Sequence, residues 1–404
     1  MDRFTIVGAR VFDGERVLSQ VDVRVAGGLI TEVAVGDRTQ PGEQVVDGSG
    51  STLLPGLIDA HTHADRDALR AALTFGVTTE LDLLSMPGTM GPLRREVAAR
   101  ADLADVRSAS VGLTVPDGHP HQLRRGMGDP LWPTATRPQE VPGFVADRLA
   151  EGADYLKVLV EDGRMLGTPV PSLDPELLRA AVTASHDRGV LVLVHALTLV
   201  AAHQAISAGA DALTHLFVDQ PHTPDIIELI ASSGAFVIPT LATLAAITGQ
   251  PDGAELAADP RVRPKVDPVW LESLTRTRGS VPSENFAFAL ATVAALHQGG
   301  VDVLAGTDAS APEVPGLAHG ASLHDELRLL VRAGLTPVEA LRAATVLPAR
   351  RFGLSDRGRI AQGLRADLLL VAGDPTTAID DSLSVQAVWR QGARLPLASA
   401  CSNT

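Results

Sequence analysis

Two kinds of hydrophobic patterning divide the chain. In the N-terminal part, apolar and polar residues alternate in short runs such as Val21–Val25 and Ile30–Val35, with a turn at Gly27–Gly28 between them. Alternation with period two is typical of half-buried strands joined by hairpins. Similar segments, GRIAQGLRADLLLVAGD and SVQAVWRQGARL, return near the C-terminus. We therefore predict a small β-sandwich domain built from residues 1–54 and 355–404, with two unrelated sheet patches as the alternative.

Between residues 55 and 354 the pattern changes to short apolar runs that alternate with amphipathic helices. The predicted strands are Leu57–His61, Val77–Leu83, Ser108–Val115, Tyr155–Val160, Val190–His195, Ala212–Leu216, Phe236–Thr240 and Val301–Gly306. The predicted helices include Asp174–Arg188, Thr198–Ala208, Pro224–Ser233, Ser283–Gln298, Ser322–Ala333 and Pro337–Ala344. This alternation predicts an α/β domain of the (β/α)8 TIM-barrel type, with its active site at the C-terminal strand ends. The alternative is a doubly wound open sheet, but its glycine-rich fingerprint is missing after the first strand.

Two connections are long and rich in proline. Residues 116–142 follow the third predicted strand, and residues 250–282 follow the seventh. Long loops of a barrel often shape access to the substrate site. We expect both connections to be irregular and to lie over the barrel mouth.

Composition and charge exclude several classes of protein. The chain has 404 residues, of which 45% are hydrophobic and 20% charged, as in an ordinary globular protein. Its apolar runs are too short to cross a bilayer, so we expect no membrane association. The formal net charge of −14, without a basic cluster, argues against nucleic-acid binding. The single cysteine, Cys401, and an N-terminal segment without a signal-peptide core predict a cytoplasmic location.

The segment PGLIDAHTHA carries the first candidate metal ligands. In an extended strand Asp59, His61 and His63 share one face, and the two histidine Cα atoms lie about 6.6 Å apart, so both rings can reach one ion. His195 ends the strand GVLVLVHA, and His215 ends ADALTHLF. A lone histidine at a strand end is more often structural. Four histidines at such positions favour a metal site, because neutral imidazole is the commonest metal ligand.

Lys157 is unusual because it lies within the apolar strand YLKVLV. If Tyr155 and Lys157 face inward, burial of the ammonium lowers its pKa and favours the neutral amine. Such an amine could react with carbon dioxide to form a carbamate that bridges two metals. The alternative is that Lys157 faces a helix and extends to solvent.

Other polar residues near strand ends are candidates for catalysis and substrate binding. Asp308, in GTDAS, could be both a metal ligand and a general base, with a helix cap as the alternative. The candidate substrate contacts are His119, His121, His222 and His324. His119 and His121 lie in the long third loop, and His222 lies shortly after the sixth predicted strand. His324 lies in the segment that follows the last strand, with a structural position in the first turn of a helix as the alternative.

These motifs together resemble the amidohydrolase superfamily. The resemblance rests on PGLIDAHTHA, YLKVLVEDG, the two strand-end histidines, GTDAS, LVRAGLTPVEALRAAT and GRIAQGLRADLLL, and it covers essentially the whole chain. It is strongest to the imidazolonepropionase-like and prolidase-like branch with a binuclear metal centre. The resemblance implies a metal site formed by His61, His63, carboxylated Lys157, His195, His215 and Asp308. Imidazolonepropionase itself uses one metal without a bridging lysine, so Lys157 argues against that activity.

The resemblance implies a hydrolase of an amide-type C–N bond in a peptide, an N-acyl amino acid, a carbamate or a cyclic amide. Two divalent ions, with zinc expected ahead of manganese, cobalt or iron, would share a hydroxide, and Asp308 would transfer its proton to the leaving nitrogen. A lactone, ester or phosphotriester substrate is the alternative within enzymes, and a non-catalytic scaffold is the alternative outside them. The second strand, GVTTELDLLSMPG, and the third loop depart from the relatives and leave the substrate open. We expect a small-molecule substrate, and the family analogy alone suggests a homo-oligomer.

Overall fold

The computed structural model describes residues 3–18, 21–36, 42–86, 88–123 and 132–396. Cys401 and part of the connection 116–142 lie outside these residues. The strands are β1 Arg3–Val7, β2 Arg10–Phe12, β3 Val17–Leu18, β4 Val21–Ala26, β5 Leu29–Val35, β6 Gln44–Asp47, β7 Ser51–Pro55, β8 Leu57–Thr62, β9 Val77–Asp82, β10 Asp105–Ser108, β11 Leu156–Leu159, β12 Val192–His195, β13 Ala212–Thr214, β14 Phe236–Ile238, β15 Leu368–Ala372, β16 Val385–Arg390 and β17 Ala393–Arg394.

The helices alternate with the strands mainly between residues 57 and 351. They are α1 Arg66–Thr74, α2 Met90–Ala99, α3 Val141–Ala150, α4 Pro175–His186, α5 Leu199–Ser207, α6 Pro224–Ser233, α7 Leu241–Ile247, α8 Asp252–Ala258, α9 Pro268–Thr275, α10 Phe286–Gln298, α11 Ala321–Arg332, α12 Pro337–Ala343 and α13 Val346–Arg351. No helix in the described part of the chain is both long and apolar enough to cross a bilayer.

The two ends of the chain share one sheet and one apolar core. A six-stranded sheet has the order β17-β16-β15-β7-β2-β3, and a four-stranded sheet has the order β5-β4-β1-β6. Leu53 and Leu368 from the larger sheet pack in the same buried cluster as Phe4 and Val23 from the smaller one. Phe4 also stacks on Trp389, with ring centroids 5.4 Å apart. Burial of this apolar surface therefore holds the N- and C-terminal segments together.

The middle of the chain contains two parallel sheets, with the orders β10-β9-β8 and β11-β12-β13-β14. Isolated parallel bridges lie at the edges of these sheets: Leu113 pairs with Val158 of β11, Val303 with Val237 of β14, and Ala309 with Thr62 of β8. Parallel strands that alternate with helices confirm the predicted α/β class.

Helix boundaries follow local capping chemistry. Asp174 begins α4 by accepting hydrogen bonds from the backbone N–H groups of Glu176 at 2.8 Å and Leu177 at 2.9 Å. Gly234 ends α6 with a left-handed φ of 76°, which glycine adopts without a steric penalty. Gly234 marks the end of the predicted helix Pro224–Ser233, which is confirmed with the same bounds.

Two predicted strands and one predicted irregular connection differ in the structure. The third strand is Asp105–Ser108 rather than Ser108–Val115, because Ser110 takes a φ of 57° that ends the extended run. Of the predicted strand Val301–Gly306, the structure retains only the bridge at Val303. The connection 250–282 is not irregular throughout, since α8 and α9 lie within it.

Side-chain alternation places Lys157 on the inner face of β11. Its neighbours Leu156 and Val158 belong to the large buried cluster that also contains helix residues such as Leu178. Tyr155, two residues before Lys157, belongs instead to a separate cluster with Leu193 of the adjacent strand. Because side chains in a strand alternate between its faces, Lys157 lies on the same side as Tyr155, away from the helices.

Candidate metal centre

A carboxylate and two imidazoles converge at the C-terminal end of β8. Oδ1 of Asp308 lies 3.2 Å from Nε2 of His61 and 2.8 Å from Nε2 of His63. The ligand atoms of these three residues all lie within 4.8 Å of one another. Nδ1 of His63 is 2.9 Å from the carbonyl oxygen of Leu84, which leaves Nε2 directed at Asp308. Two nitrogens and one carboxylate oxygen at this spacing fit a divalent metal ion.

His61 and His63 differ in their electrostatic surroundings. Burial lowers the pKa of His61 to about 3, so its ring is neutral as a metal ligand must be. Its Nδ1 is buried and has no hydrogen-bond partner among the described residues. Burial also opposes the charged form of His63, but the hydrogen bond and charge of Asp308 outweigh it and raise the pKa of His63. Burial opposes ionisation of Asp308 as well, yet the nearby histidines hold its pKa well below its usual range.

Backbone contacts fix the position of Asp308. Its N–H donates to the carbonyl oxygen of His61 at 2.7 Å, and its own φ of 65° lies in the left-handed region. Gly306, two residues earlier, allows the close approach: a Cβ there would lie 2.8 Å from the backbone nitrogen of His61. The backbone of Asp308, the candidate general base, is thus hydrogen-bonded directly to the backbone of His61, a candidate ligand.

His195 and His215 extend the cluster from the neighbouring strands. His195 is the last residue of β12, and His215 follows β13 with a left-handed φ of 68°. Their ring centroids are 4.5 Å apart, and those of His215 and His61 are 4.8 Å apart. Burial lowers the pKa of His195 to about 3 and that of His215 well below its ordinary value. Nδ1 of His215 lies 2.7 Å from Oγ1 of Thr240, so its Nε2 is the nitrogen left for another partner.

Lys157 completes this group of buried polar side chains. It is 1% exposed and donates a hydrogen bond from Nζ to Oγ1 of Thr214. Among the described residues no carboxylate lies within ion-pair distance of its ammonium. Burial lowers the pKa of Lys157 to about 7, although Asp308 opposes the shift. This lowered pKa favours the neutral, nucleophilic amine.

Glu161 and Asp59 are two site residues to which the sequence did not assign a role. Oε2 of Glu161 lies 2.9 Å from Nε2 of His195, and burial raises the pKa of the Glu161 carboxyl. Asp59 accepts hydrogen bonds from the backbone of His61 at 3.1 Å and of Thr307 at 3.0 Å. The signal for Glu161 was an acidic residue just after a predicted strand, and for Asp59 its shared face with the two histidines.

The structure brings one of the four candidate substrate contacts to the cluster. The ring centroid of His119 lies 5.0 Å from that of His195, and burial lowers the pKa of His119 to about 3. Nδ1 of His121 is 2.7 Å from the carbonyl oxygen of Gly118 within its own loop. Nδ1 of His222 is 3.2 Å from Oγ1 of Thr292 on α10, an outer helix. Neither His121 nor His222 contacts the metal-ligand candidates.

The prediction that His324 contacts substrate needs correction. Its side chain is fully buried on α11, with Nδ1 2.9 Å from Oγ of Ser382 and Nε2 2.9 Å from the carbonyl oxygen of Phe75. Both ring nitrogens are therefore engaged in hydrogen bonds that join distant parts of the chain, and neither is left for a ligand.

Comparison with known proteins identifies the family to which the chain belongs. The sequence pattern of the amidohydrolase family matches residues 52–395. The chain belongs to the amidohydrolase family. As a member of it, the protein is a hydrolase that acts on C–N bonds, and the predicted resemblance is confirmed.

Individual relatives of this amidohydrolase are distant but cover most of its length. An uncharacterized protein of Mycobacterium tuberculosis is 29% identical over 349 residues, which span 81% of this chain and 80% of the relative. The imidazolonepropionase of Deinococcus radiodurans is 26% identical over 396 residues, or 94% of this chain and 93% of the relative. The crystal structure of a Xaa-Pro dipeptidase with bound methionine has a TM-score of 0.78 at 22% identity, covering 98% of this chain and all 100% of that one. This structural likeness indicates a TIM-barrel-like α/β fold.

Proposed function

We propose that this protein is a binuclear metal-dependent amidohydrolase that cleaves the amide-type C–N bond of a small molecule. The observation that carries the proposal is the convergence of His61 and His63 on one carboxylate oxygen of Asp308. His195 and His215 supply two further neutral imidazoles close to this group. The supporting geometry is therefore that of a metal centre, and the family supplies the class of reaction.

The donor set fits more than one ion. A tetrahedral site needs only four ligands, including any water, whereas this cluster offers four histidines, an aspartate and a buried amine. Imidazole and carboxylate ligands favour zinc, and also accept manganese, cobalt or iron. We propose two divalent ions, with zinc as the first to test, and a carbamate on Lys157 as their shared anionic ligand. The proposed metal-site residues are His61, His63, Lys157, His195, His215 and Asp308.

Within this site Asp308 is the proposed proton carrier. Ions held there would polarise a substrate carbonyl and make water a stronger acid. The carboxylate of Asp308 lies directly beside His61 and His63, where it could accept a proton from that water. Its fixed backbone keeps the same oxygen available to deliver the proton to the departing nitrogen. His119, beside His195, is the proposed substrate contact among the loop histidines.

The architecture around this site is part of the proposal. We infer that residues 55–354 close into a (β/α)8 barrel, supported by the bridges that join β8 to residue 309 and β14 to residue 303. We infer that residues 1–54 and 355–404 form one composite β-sandwich, supported by their common sheet and apolar core. A cytoplasmic location agrees with the composition of the chain.

A substrate panel tests the proposed function. Metal-loaded protein is incubated with dipeptides, N-acyl amino acids, carbamates and cyclic amides, and amine release or ring opening is measured. A parallel set of lactones, carboxylic esters and phosphotriesters tests the alternative chemistry at the same centre. The proposal expects at least one amide to be hydrolysed with a higher kcat/KM than any ester or lactone of matched size. Turnover confined to lactones, esters or phosphotriesters would contradict it.

A further inference from the structure

Glu161 and His195 form a buried contact whose two ends are both held in place. Glu161 is 3% exposed, and its Oε2 lies 2.9 Å from Nε2 of His195. Its other oxygen, Oε1, accepts the backbone N–H of Gly163 at 2.6 Å. A carboxylate anchored at one oxygen presents the second in a fixed direction. The contact therefore constrains the ring orientation of His195.

The loop after β11 fixes the Glu161 carboxylate. Gly163 has a left-handed φ of 76°, and a Cβ there would lie 1.9 Å from the carbonyl oxygen of Thr168. The N–H of Thr168 in turn donates to the carbonyl oxygen of Gly163 at 3.0 Å, and the N–H of Val170 donates to the backbone carbonyl oxygen of Asp162 at 2.9 Å. The loop folds back on itself directly after Glu161, so the anchor does not depend on a mobile side chain.

The histidines of the site differ in the ring nitrogen that bonds outside the metal-ligand candidates. His63 and His215 both engage Nδ1, with the carbonyl oxygen of Leu84 and the hydroxyl of Thr240, and so leave Nε2. His195 engages Nε2 with Glu161 and so leaves Nδ1. Oε1 of Glu161 acts as an acceptor toward Gly163, and an Oε2 that likewise accepts would pair with a proton on Nε2 of His195.

We propose that Glu161 is a positioning residue that fixes the Nε2–H tautomer of His195 and turns Nδ1 toward the metal centre. Carboxylates that accept the second N–H of a metal-binding histidine orient the ring and raise its basicity. Glu161 acts through His195 rather than as a ligand itself, because its two oxygens are already engaged by Nε2 of His195 and by the backbone N–H of Gly163. This inference rests on the proposed metal-dependent function.

The first test observes the tautomer in the unaltered protein. The full-length, zinc-loaded chain is labelled with 15N-histidine, and the His195 signal is assigned by its loss in the His195→Asn variant. Long-range proton–nitrogen correlations distinguish a protonated ring nitrogen from a bare or metal-bound one. The inference expects a proton on Nε2 of His195 and none on Nδ1. A proton on Nδ1 would overturn it.

The second test measures zinc retention in a chelator competition. Glu161→Leu removes the acceptor and keeps an apolar side chain of similar size. Glu161→Gln keeps one oxygen that can accept from Nε2. Loss of such an outer partner typically weakens metal affinity about 10–100-fold. We therefore expect Glu161→Leu to release one of its two zinc ions at a chelator concentration that is lower by about the same factor. Glu161→Gln should lie between the parent and Glu161→Leu.

Asp162→Asn is the matched control, because this neighbouring carboxylate contacts Arg164 rather than a histidine. It should retain zinc like the parent. Equal retention in Glu161→Leu and the parent would overturn the inference, while two bound zinc ions would still support the proposed function. A parent protein that binds no zinc would instead refute the metal centre itself. If Glu161→Leu fails to fold, Glu161→Gln and the tautomer measurement still decide.

Discussion

Both carboxylate oxygens of Asp59 accept hydrogen bonds from Thr307, Oδ1 from the backbone N–H at 3.0 Å and Oδ2 from the hydroxyl at 2.8 Å. Asp59 lies on β8, and Thr307 immediately precedes Asp308. The Thr307 hydroxyl also accepts the N–H of Ala309 at 3.1 Å, on the other side of Asp308. The buried carboxylate thus holds Thr307, which in turn holds Ala309 on the far side of the proposed proton carrier.

Replacing Asp59 should therefore disturb Asp308 without removing any proposed ligand. Asp59→Ala leaves the N–H and hydroxyl of Thr307 without their acceptor, which costs about 1–3 kcal/mol for a buried donor. We expect a lower free energy of unfolding in urea and a lower kcat. Asp59→Asn is the control. Its side-chain oxygen can accept the backbone N–H groups of His61 and Thr307, and its amide can donate to the Thr307 hydroxyl. Asp59→Ala with parental kcat and stability would rule out this role.

Lys157 offers a second test, which separates its proposed carbamate from simple packing. Lys157→Ala should lose metal and activity but leave a cavity in which acetate can supply a carboxylate, so added acetate should restore part of both. Lys157→Met removes the amine but fills the space, so acetate should have no effect. Metal content by elemental analysis and kcat with and without acetate are the measurements. Full activity of Lys157→Ala without acetate would exclude the proposed bridge.

Asp308→Asn tests proton transfer apart from metal assembly. Asparagine keeps one ligating oxygen but does not accept a proton at neutral pH. Because general acid–base catalysis contributes about 10²–10⁴-fold, kcat for an amide should fall by that order while most zinc stays bound. The loss should be smaller for a nitrophenyl ester, whose leaving group departs without protonation. Amide hydrolysis at the parental rate by the zinc-loaded variant would exclude Asp308 as the proton carrier.

His319 gives the fold a pH-dependent contribution close to the site. Its Nδ1 lies 3.0 Å from Oε1 of Glu80, and its Nε2 lies 3.0 Å from the carbonyl oxygen of Ser310, with both side chains buried. Burial opposes the charged imidazole, but Glu80, with a smaller contribution from Asp59, raises the pKa of His319 to about 9. A raised folded-state pKa stabilises the protein fully below the unfolded value and loses that effect as the pH rises through about 9.

The destabilisation caused by His319→Asn should therefore shrink with rising pH. We expect the difference in unfolding free energy between parent and variant to be largest near pH 6 and to decline up to about pH 10. Taking the difference removes the contributions of other titrating groups that the two proteins share. Urea titrations at several pH values provide the measurement. A difference that stays constant or grows over this range would contradict a charged His319 paired with Glu80.

The predictable parts of the site are those encoded within a single strand or strand end. The two-residue period carried Lys157 to the inner face of β11, and the spacing of His61 and His63 brought both rings to Asp308. The predicted helix that starts at Asp174 begins in the structure at Pro175, with Asp174 as its cap. In each case the signal is the position or spacing of residues within one strand or at one helix end.

The parts that the sequence did not reveal depend on contacts between distant segments. Neither ring nitrogen of His324 is left for a substrate, because Phe75 and Ser382, far away in sequence, bond to both of them. Glu161 gains a role only because β11 and β12 are neighbours, which places its carboxylate against His195. An acidic residue after a strand looks the same in sequence whether it faces solvent or a histidine.

The most direct test of the central claim is a zinc titration of chelator-stripped protein, with hydrolysis of an amide from the substrate panel as the readout. The cluster of four histidines, Lys157 and Asp308 predicts negligible activity without metal and an increase that levels off at two equivalents of bound zinc per chain. Elemental analysis of the saturated protein should give the same number. Activity that is complete with one ion, or that persists in the fully stripped protein, would contradict the binuclear amidohydrolase centre.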